Sequence, residues 1–477
     1  MKKRMTMLDS GFIRMERHES PQHGTILIIF RIPADSPPDY MHQLAAHMRQ
    51  FPVTSERFNW RLSKSLVDKV VPAWEVLAPE EIELDYHFRH SALPQPGSEL
   101  DLALVVSRLA THPIDFNRPP WEIHLIEGLE NGRFAMFMKM HHSLVDGVTA
   151  LNMLRNWLSK DPTQTGAPPL WASTISATPK VSEQRRGERV EKSPLDTLTD
   201  AARGSIDSVL GIGDSIVTIG GAAGKTISAA LGADDGLIAP YHPPRTIFNS
   251  TITQRRRIST QRVELARLKS IAKQIDGTLN DAIATVFGGA VRRYLTELNA
   301  LPDRALVAGV LASLRATVDE ATSEGAGNVI SFIFADLATD TDNIAERAER
   351  VVRSTRAGKG HLLGLKKNAM NYSTLMLLPF VLTTITGTGH LLPAFNVGLS
   401  NVPGVDVPMY WNGAQAEAVH ATTIITNGQA LVVTVTSWND NLCFTFTACP
   451  DAIPHPQRLS VYLVDSLDET EKALASG

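Results

Sequence analysis

The sequence predicts a mixed α/β (α+β) fold in two halves, each built on a partly antiparallel sheet. Three observations carry that expectation. Hairpin signatures stand in both halves, at Asn131-Gly132 and at Trp438-Asn439-Asp440-Asn441, each between β-rich runs. Apolar stretches of strand length alternate with helical periodicities throughout, which is the pattern of sheets covered by helices. The 477 residues exceed one ordinary domain, and 43% hydrophobic residues suffice for two cores. No G-x-G-x-x-G follows a strand and no phosphate loop is present, so a doubly wound nucleotide fold is not indicated.

In chain order, a short helical segment from Met7 leads to an apolar, β-branched run over Gly24 to Ile32, the expected buried strand. Tyr40 to Gln50 has helical spacing, and Trp74 and Leu84 to Phe88 look strand-like. His87 and His90 have no third ligand nearby and are read as ordinary histidines, so no metal site is expected. From Asp161 to about Pro194 the chain carries Pro168-Pro169, scattered Ser and Thr and a charged run, the composition of a flexible linker. Leu195 to Leu231 reads as a helical strap rich in Gly and Ala. The second half begins near Arg245, with a strand at Gln254 to Arg257, a helix over Val263 to Ala272, and a longer helix opened by Thr278-Leu279-Asn280-Asp281. Thr278 and Asp281 have the form of a capping box, and Ile283, Phe287, Ala290, Tyr294 and Leu298 mark one buried face. The expected division is 1–165, 166–244 and 245–477.

The most informative stretch runs from Trp121 to Trp157 and reads as strand, tight turn, strand, polar loop and helix. Asn131-Gly132 suits a two-residue turn. In the second strand Phe134, Met136, Met138 and Met140 share a face, which His142 joins if the strand continues, while His141 falls on the other face with Lys139. Asp146 then stands as the N-cap of a helix whose apolar residues are Val148, Leu151, Leu154 and Leu158.

Composition excludes several classes of function. Lys plus Arg total 46 against 50 for Asp plus Glu, so nothing attracts nucleic acid over the whole surface. The two cysteines, Cys443 and Cys449, form neither a disulfide framework nor a zinc pattern, which fits a reducing cytoplasm. Asp9, Arg14 and Glu16 interrupt any signal-peptide core, and the uncharged stretch Asn368 to Val405 is broken by Asn, Thr, Gly and Pro, so neither export nor a membrane span is expected.

The loop H-H-S-L-V-D-G, His141 to Gly147, matches the H-H-x-x-x-D-G signature of CoA-dependent acyltransferases. Arg118-Pro119-Pro120-Trp121-Glu122, Asn280-Asp281, Ser313-Leu314-Arg315, Gly327-Asn328 and Ser400-Asn401-Val402-Pro403-Gly404 follow in the order seen in the bacterial wax ester synthase/diacylglycerol acyltransferase family, which the chain resembles over nearly its whole length outside the linker. Leu8-Asp9, Phe12, Glu16 and Pro21 to Gly24 also resemble that family's opening. Pro120 replaces a usual leucine, and Val405 a usual proline. The resemblance implies two chloramphenicol acetyltransferase-like subdomains with the active site in a tunnel between them. It implies acyl-CoA as a substrate with no cofactor, and diacylglycerol or a long-chain alcohol as acceptor. Because both acyl substrates partition into lipid, reversible peripheral attachment to the inner membrane face or to lipid droplets is expected, through part of Leu195 to Leu231 or of Asn368 to Val405.

Ester formation from a thioester needs a base for the alcohol proton, a donor for the developing oxyanion, and exclusion of water. His142 suits the first role, since a neutral imidazole accepts a proton near working pH. Asn280, Ser400 and Asn401 are candidates for the second by their place in the family motifs alone. By the same resemblance Asp146 is structural and pairs with an arginine, for which Arg315 is the choice. Gly147 is expected to allow a close approach of loop and helix, and His141 to support the loop. Two alternatives stand beside this reading: His141 and Asp146 also fit the H-x-x-x-x-D pattern of glycerol-phosphate acyltransferases, and a catalytically silent lipid-binding protein would carry the same apolar surfaces.

Overall fold

The computed structural model describes residues 2–65, 72–173, 236–313, 330–365 and 369–475. In the first half the elements are β1 (Lys2–Arg4), α1 (Met7–Met15), β2 (His23–Arg31), α2 (Tyr40–Arg49), β3 (Trp60–Leu62) and β4 (Ala73–Val76). There follow α3 (Leu84–His87), β5 (Phe88–Ala92), α4 (Glu99–Thr111), β6 (Trp121–Leu129), β7 (Arg133–His141) and α5 (Gly147–Trp157). The second half holds β8 (Arg257–Glu264), α6 (Leu265–Gln274), α7 (Leu279–Glu297), β9 (Val307–Ser313), β10 (Ile330–Asp336) and α8 (Ile344–Gly364). It ends with α9 (Ala369–Thr386), β11 (Val397–Val405), β12 (Met409–Trp411), β13 (Ala414–Thr422), β14 (Leu431–Trp438), β15 (Asn441–Ala448) and α10 (Arg458–Ala475).

Two six-stranded mixed sheets organise the molecule. The first has the order β12-β13-β2-β7-β6-β5 and the second β10-β9-β11-β14-β15-β8. In the first, β5 and β6 run parallel and the other pairs antiparallel; in the second, β11 runs parallel to both β9 and β14. Strand β2 is central, and Ile26 to Phe30 are buried on both of its faces, so its sequence is a continuous apolar run without alternation. The first sheet is not made of residues 1–165 alone. β12 and β13, from the second half, complete its edge beside β2. Trp438 at the end of β14 adds to the joint, donating its indole N–H to Ala416 O at 2.8 Å.

Several local expectations change. Leu84 to His87 form a helical turn, not a strand, and the strand begins at Phe88. The buried His87 stacks on Trp121 and bonds its carbonyl at 2.8 Å, so the turn is stabilised by a side chain that a strand reading assigns no partner. The flexible-linker composition from Asp161 does not extend through Trp171. Leu170 and Trp171 are buried in the first core, and Trp171 O accepts from the backbone N–H groups of Thr54 and Ser55. The strand expected at Gln254 to Arg257 is β8, which starts where that span ends. The hairpin at Asn131-Gly132 has both residues at positive φ, as expected, yet three residues separate Leu129 from Arg133, with Gly128 at φ +85° in a bulge. The second hairpin does turn in two residues, Asn439-Asp440, between Trp438 and Asn441. The strap expected at Leu195 to Leu231 lies outside the described residues.

Both cysteines are buried free thiols. Among the described residues no helix is long and apolar enough to cross a membrane, and no group of three His, Cys, Asp or Glu side chains is placed to hold a metal ion.

Candidate active site at the histidine loop

Strand β7 delivers the loop. Its Phe134, Met136 and Met138 are buried on one face, while on the other Lys139 is wholly buried. Lys139 Nζ donates to Leu109 O and His112 O, both at 3.1 Å, and meets Glu122 Oε2 at 3.2 Å. Arg89 and His124 converge on the same Glu122 oxygen. Burial alone would raise the Glu122 carboxyl, but the His124 hydrogen bond and the Lys139 and Arg89 charges outweigh it and bring it down to about 2. Burial lowers Lys139, with Glu122 opposing. This paired cluster ties α4 to the sheet under the loop.

The strand ends at His141, so His142 does not sit on it as the fifth member of the methionine face. Its backbone N–H makes one more ladder-like bond, to Gln22 O at 2.9 Å, and the chain then turns. The two imidazoles have opposite environments. His141 Nδ1 accepts from Ser143 N at 3.2 Å and lies 2.6 Å from Ser143 Oγ, and its Nε2 is 3.3 Å from Glu16 Oε2. His142 has neither nitrogen bonded and neither exposed among the described residues. Its ring stacks on Phe12 of α1, with centroids 5.2 Å apart and planes at 23°. At its Nε2 edge lies Gly24, where an added Cβ would come within 3.2 Å of that nitrogen. Burial pushes the His142 imidazole down to about 4, the neighbouring His141 charge acts the same way, and Asp146 opposes both. The ring is therefore a neutral proton acceptor with both positions unassigned.

Asp146 is the N-cap of α5, its Oδ1 accepting from Thr149 N at 2.7 Å. Arg315, the partner expected for it, lies outside the described residues. Gly147 needs another explanation than close approach, because a Cβ there would meet nothing within 4 Å. On the second half, the capping box at Thr278 forms: Asp281 Oδ2 accepts from Thr278 N and Oγ1, both at 2.7 Å, and its Oδ1 from Thr355 Oγ1 at 2.6 Å. Asn280 beside it is free of that task and accepts from Asn401 Nδ2 at 2.6 Å, so two of the three amide and hydroxyl candidates meet directly. Ser400, buried on β11, sits opposite Thr434. Helix α5 packs against β11, which places the helix behind the histidine loop alongside the strand of Ser400 and Asn401. From sequence, Phe12, Glu16 and Gly24 stand only among the residues that resemble the family's opening, with no role assigned to any of them.

Comparison with known proteins places the chain in a family. The description "Wax ester synthase/diacylglycerol acyltransferase catalytic domain" matches residues 5–283, and "WS/DGAT C-terminal domain" matches residues 326–471. A putative diacylglycerol O-acyltransferase of Mycobacterium tuberculosis is 36% identical, with 99% of this chain and 97% of that protein covered. The O-acyltransferase WSD of Acinetobacter baylyi is 32% identical over 98% of this chain and 97% of its own. The structure of the wax ester synthase/diacylglycerol acyltransferase from Marinobacter aquaeolei VT8 superposes with a TM-score of 0.76 at 31% identity, covering 99% of this chain and 100% of that one. The first condensation domain of the CDA synthetase shares the fold alone, at 15% identity and a TM-score of 0.54, over 100% of this chain and 96% of that one. The chain belongs to the wax ester synthase/diacylglycerol acyltransferase family.

Proposed function

We propose that this protein moves a long-chain acyl group from acyl-CoA to the hydroxyl of diacylglycerol or of a fatty alcohol, giving triacylglycerol or wax ester and free CoA. The observation that carries this reading is His142, a neutral imidazole with both nitrogens buried and unpartnered in a chain of this family. The imidazole takes the alcohol proton as the oxygen attacks the thioester carbon. Asp146, whose charge favours the imidazolium, steadies it as it forms. An amide N–H of the Asn280–Asn401 pair is the donor for the oxyanion. The apolar face of Phe134, Met136 and Met138 supplies an acyl-chain wall, since flexible thioethers adapt to alkyl chains. The glycerol-phosphate-type reading uses His141 with Asp146, but His141 is already held by Ser143 and Glu16 and Asp146 by Thr149.

Attachment to a lipid surface belongs to the same proposal. Helix α9 carries no charged residue, and Leu375, Leu378, Leu382 and Ile385 repeat along one exposed face, followed by exposed Leu391 and Leu392. A competition assay with long-chain acyl-CoA, dioleoylglycerol and hexadecanol tests the chemistry; a wild-type protein that forms neither ester overturns it. Co-sedimentation with phospholipid vesicles tests the surface. Leu378→Asp with Leu382→Asp should abolish binding, and unchanged binding removes α9 from the proposal.

A further inference from the structure

One ring face of His142 is covered by an aromatic side chain. Phe12 stacks on it from α1, and no polar group of the described residues bonds either ring nitrogen. Helix α1 is tied down at its C-terminal end, while Thr6 caps its start by accepting from Asp9 N at 3.1 Å. Beyond its end Glu16 accepts from Gln22 N at 2.5 Å and approaches His141, and Arg17 donates to Ile385 O of α9 at 2.9 Å. The same short segment therefore buttresses His141 through a carboxylate and covers His142 with an apolar ring. Phe12 brings no hydrogen-bonding group to this site, and its phenyl ring fills the space over the imidazole face that solvent would otherwise occupy.

The reaction makes this arrangement consequential. In transfer the alcohol proton passes to the imidazole while the alcohol oxygen bonds the acyl carbon; the C–S bond then breaks and the proton goes on to the CoA sulfur. Water can follow the same steps and yields free fatty acid and CoA. A base that activates an alcohol activates water equally well, so selectivity must come from keeping water away from the base. We propose that Phe12 is the positioning residue that excludes water from His142 and so sets the choice between alcohol and water as acyl acceptor. The inference rests on His142 as the base and goes beyond it in assigning acceptor selectivity to α1.

The test measures CoA release and ester formation together, in the full chain with palmitoyl-CoA, with and without hexadecanol. Wild type should release close to one CoA per ester. Phe12→Ala should raise the ratio of CoA to ester by roughly fivefold or more, and raise CoA release without alcohol, because solvent reaches the imidazole. Phe12→Leu should restore most of the coupling. Should Phe12→Ala fail to fold, Phe12→Val gives the same reading at reduced amplitude. Adding His142→Ala to Phe12→Ala should remove the excess hydrolysis. An unchanged ratio in the folded Ala or Val variant overturns the inference, as does excess hydrolysis that persists without His142. If His142→Ala alone keeps full transfer, the base assignment fails instead, which separates the two ideas.

Discussion

The two sides of strand β7 show how a buried polar group is told apart as structural or chemical. On one side Lys139, Glu122, His124 and His141 bond to one another, to Ser143 and Glu16, or to backbone carbonyls. Past the end of the strand, His142 is buried at both nitrogens and bonded at neither. Folding normally pairs buried polar atoms, because an unpaired one costs about 1–3 kcal/mol. On the proposed function, the partner missing from His142 arrives with the substrates. The paired side maintains the fold, and the unpaired ring is held open by it.

Breaking each side separately sharpens the contrast. The largest effect is expected on the open side: His142→Ala should lower kcat by about a hundredfold to ten-thousandfold, the range for a positioned general base. Its thermal midpoint should stay near wild type. His141→Ala should lose less activity and more stability, measured in the same two assays, since its hydrogen bonds hold the loop. If both variants lose activity equally with equal destabilisation, the distinction between the rings disappears.

On the paired side, Lys139→Ala should cost about 3–5 kcal/mol in urea unfolding, because it leaves Glu122 buried with one fewer positive partner. Loss of activity without loss of stability in that variant would move Lys139 into the chemistry.

The pH response joins the two sides. His142 and His420 are held at about 4 and His23 at about 3, chiefly by burial. Their unfolded values lie near 6.5. Above that value the folded and unfolded chains carry these rings neutral alike. As pH falls from about 6.5 towards 4 only the unfolded chain takes up protons, so stability should drop by up to about 1.4 kcal/mol per pH unit for each such ring. Chemical denaturation at pH 7 and pH 5 measures it. For activity, the groups facing His142 are His141, which lowers it, and Asp146, which raises it. The acid limb of kcat/KM should therefore lie well below the pH of an ordinary imidazole. A limb at pH 6.5 would show that solvent reaches the free ring.

The smallest effect belongs to Asp146. As an N-cap alone, Asp146→Asn should cost only a few tenths of a kcal/mol and Asp146→Ala about 1 kcal/mol, read by thermal unfolding. A much larger loss would reveal a charge partner for the carboxylate.

Much of this molecule is set by local sequence. Period-two and helical spacing located the strands and helices around the loop, Asp146 could be read as a cap, and Thr278 with Asp281 as a capping box, because each depends on residues within a few positions of one another. The ordered motifs identified the family before any contact was known. Local reading misplaced Leu84 to His87 and the start of the linker, where packing of His87 on Trp121 and burial of Leu170 and Trp171 in the first core decided the conformation. It could not show that β12 and β13 complete the first sheet, because strand partners are chosen across hundreds of residues by which edges remain open. Nor could it show that Phe12 covers His142, that Glu16 reaches His141, or that Asn401 meets Asn280. Residues 12 and 142 belong to separate elements with independent patterns, and only the packing of α1 over the end of β7 makes one the cover of the other. The sequence determined which side chains were available for the chemistry; the tertiary structure decided which of the two histidines was left without a partner, since burial and pairing are properties of neighbours that the chain brings from a distance.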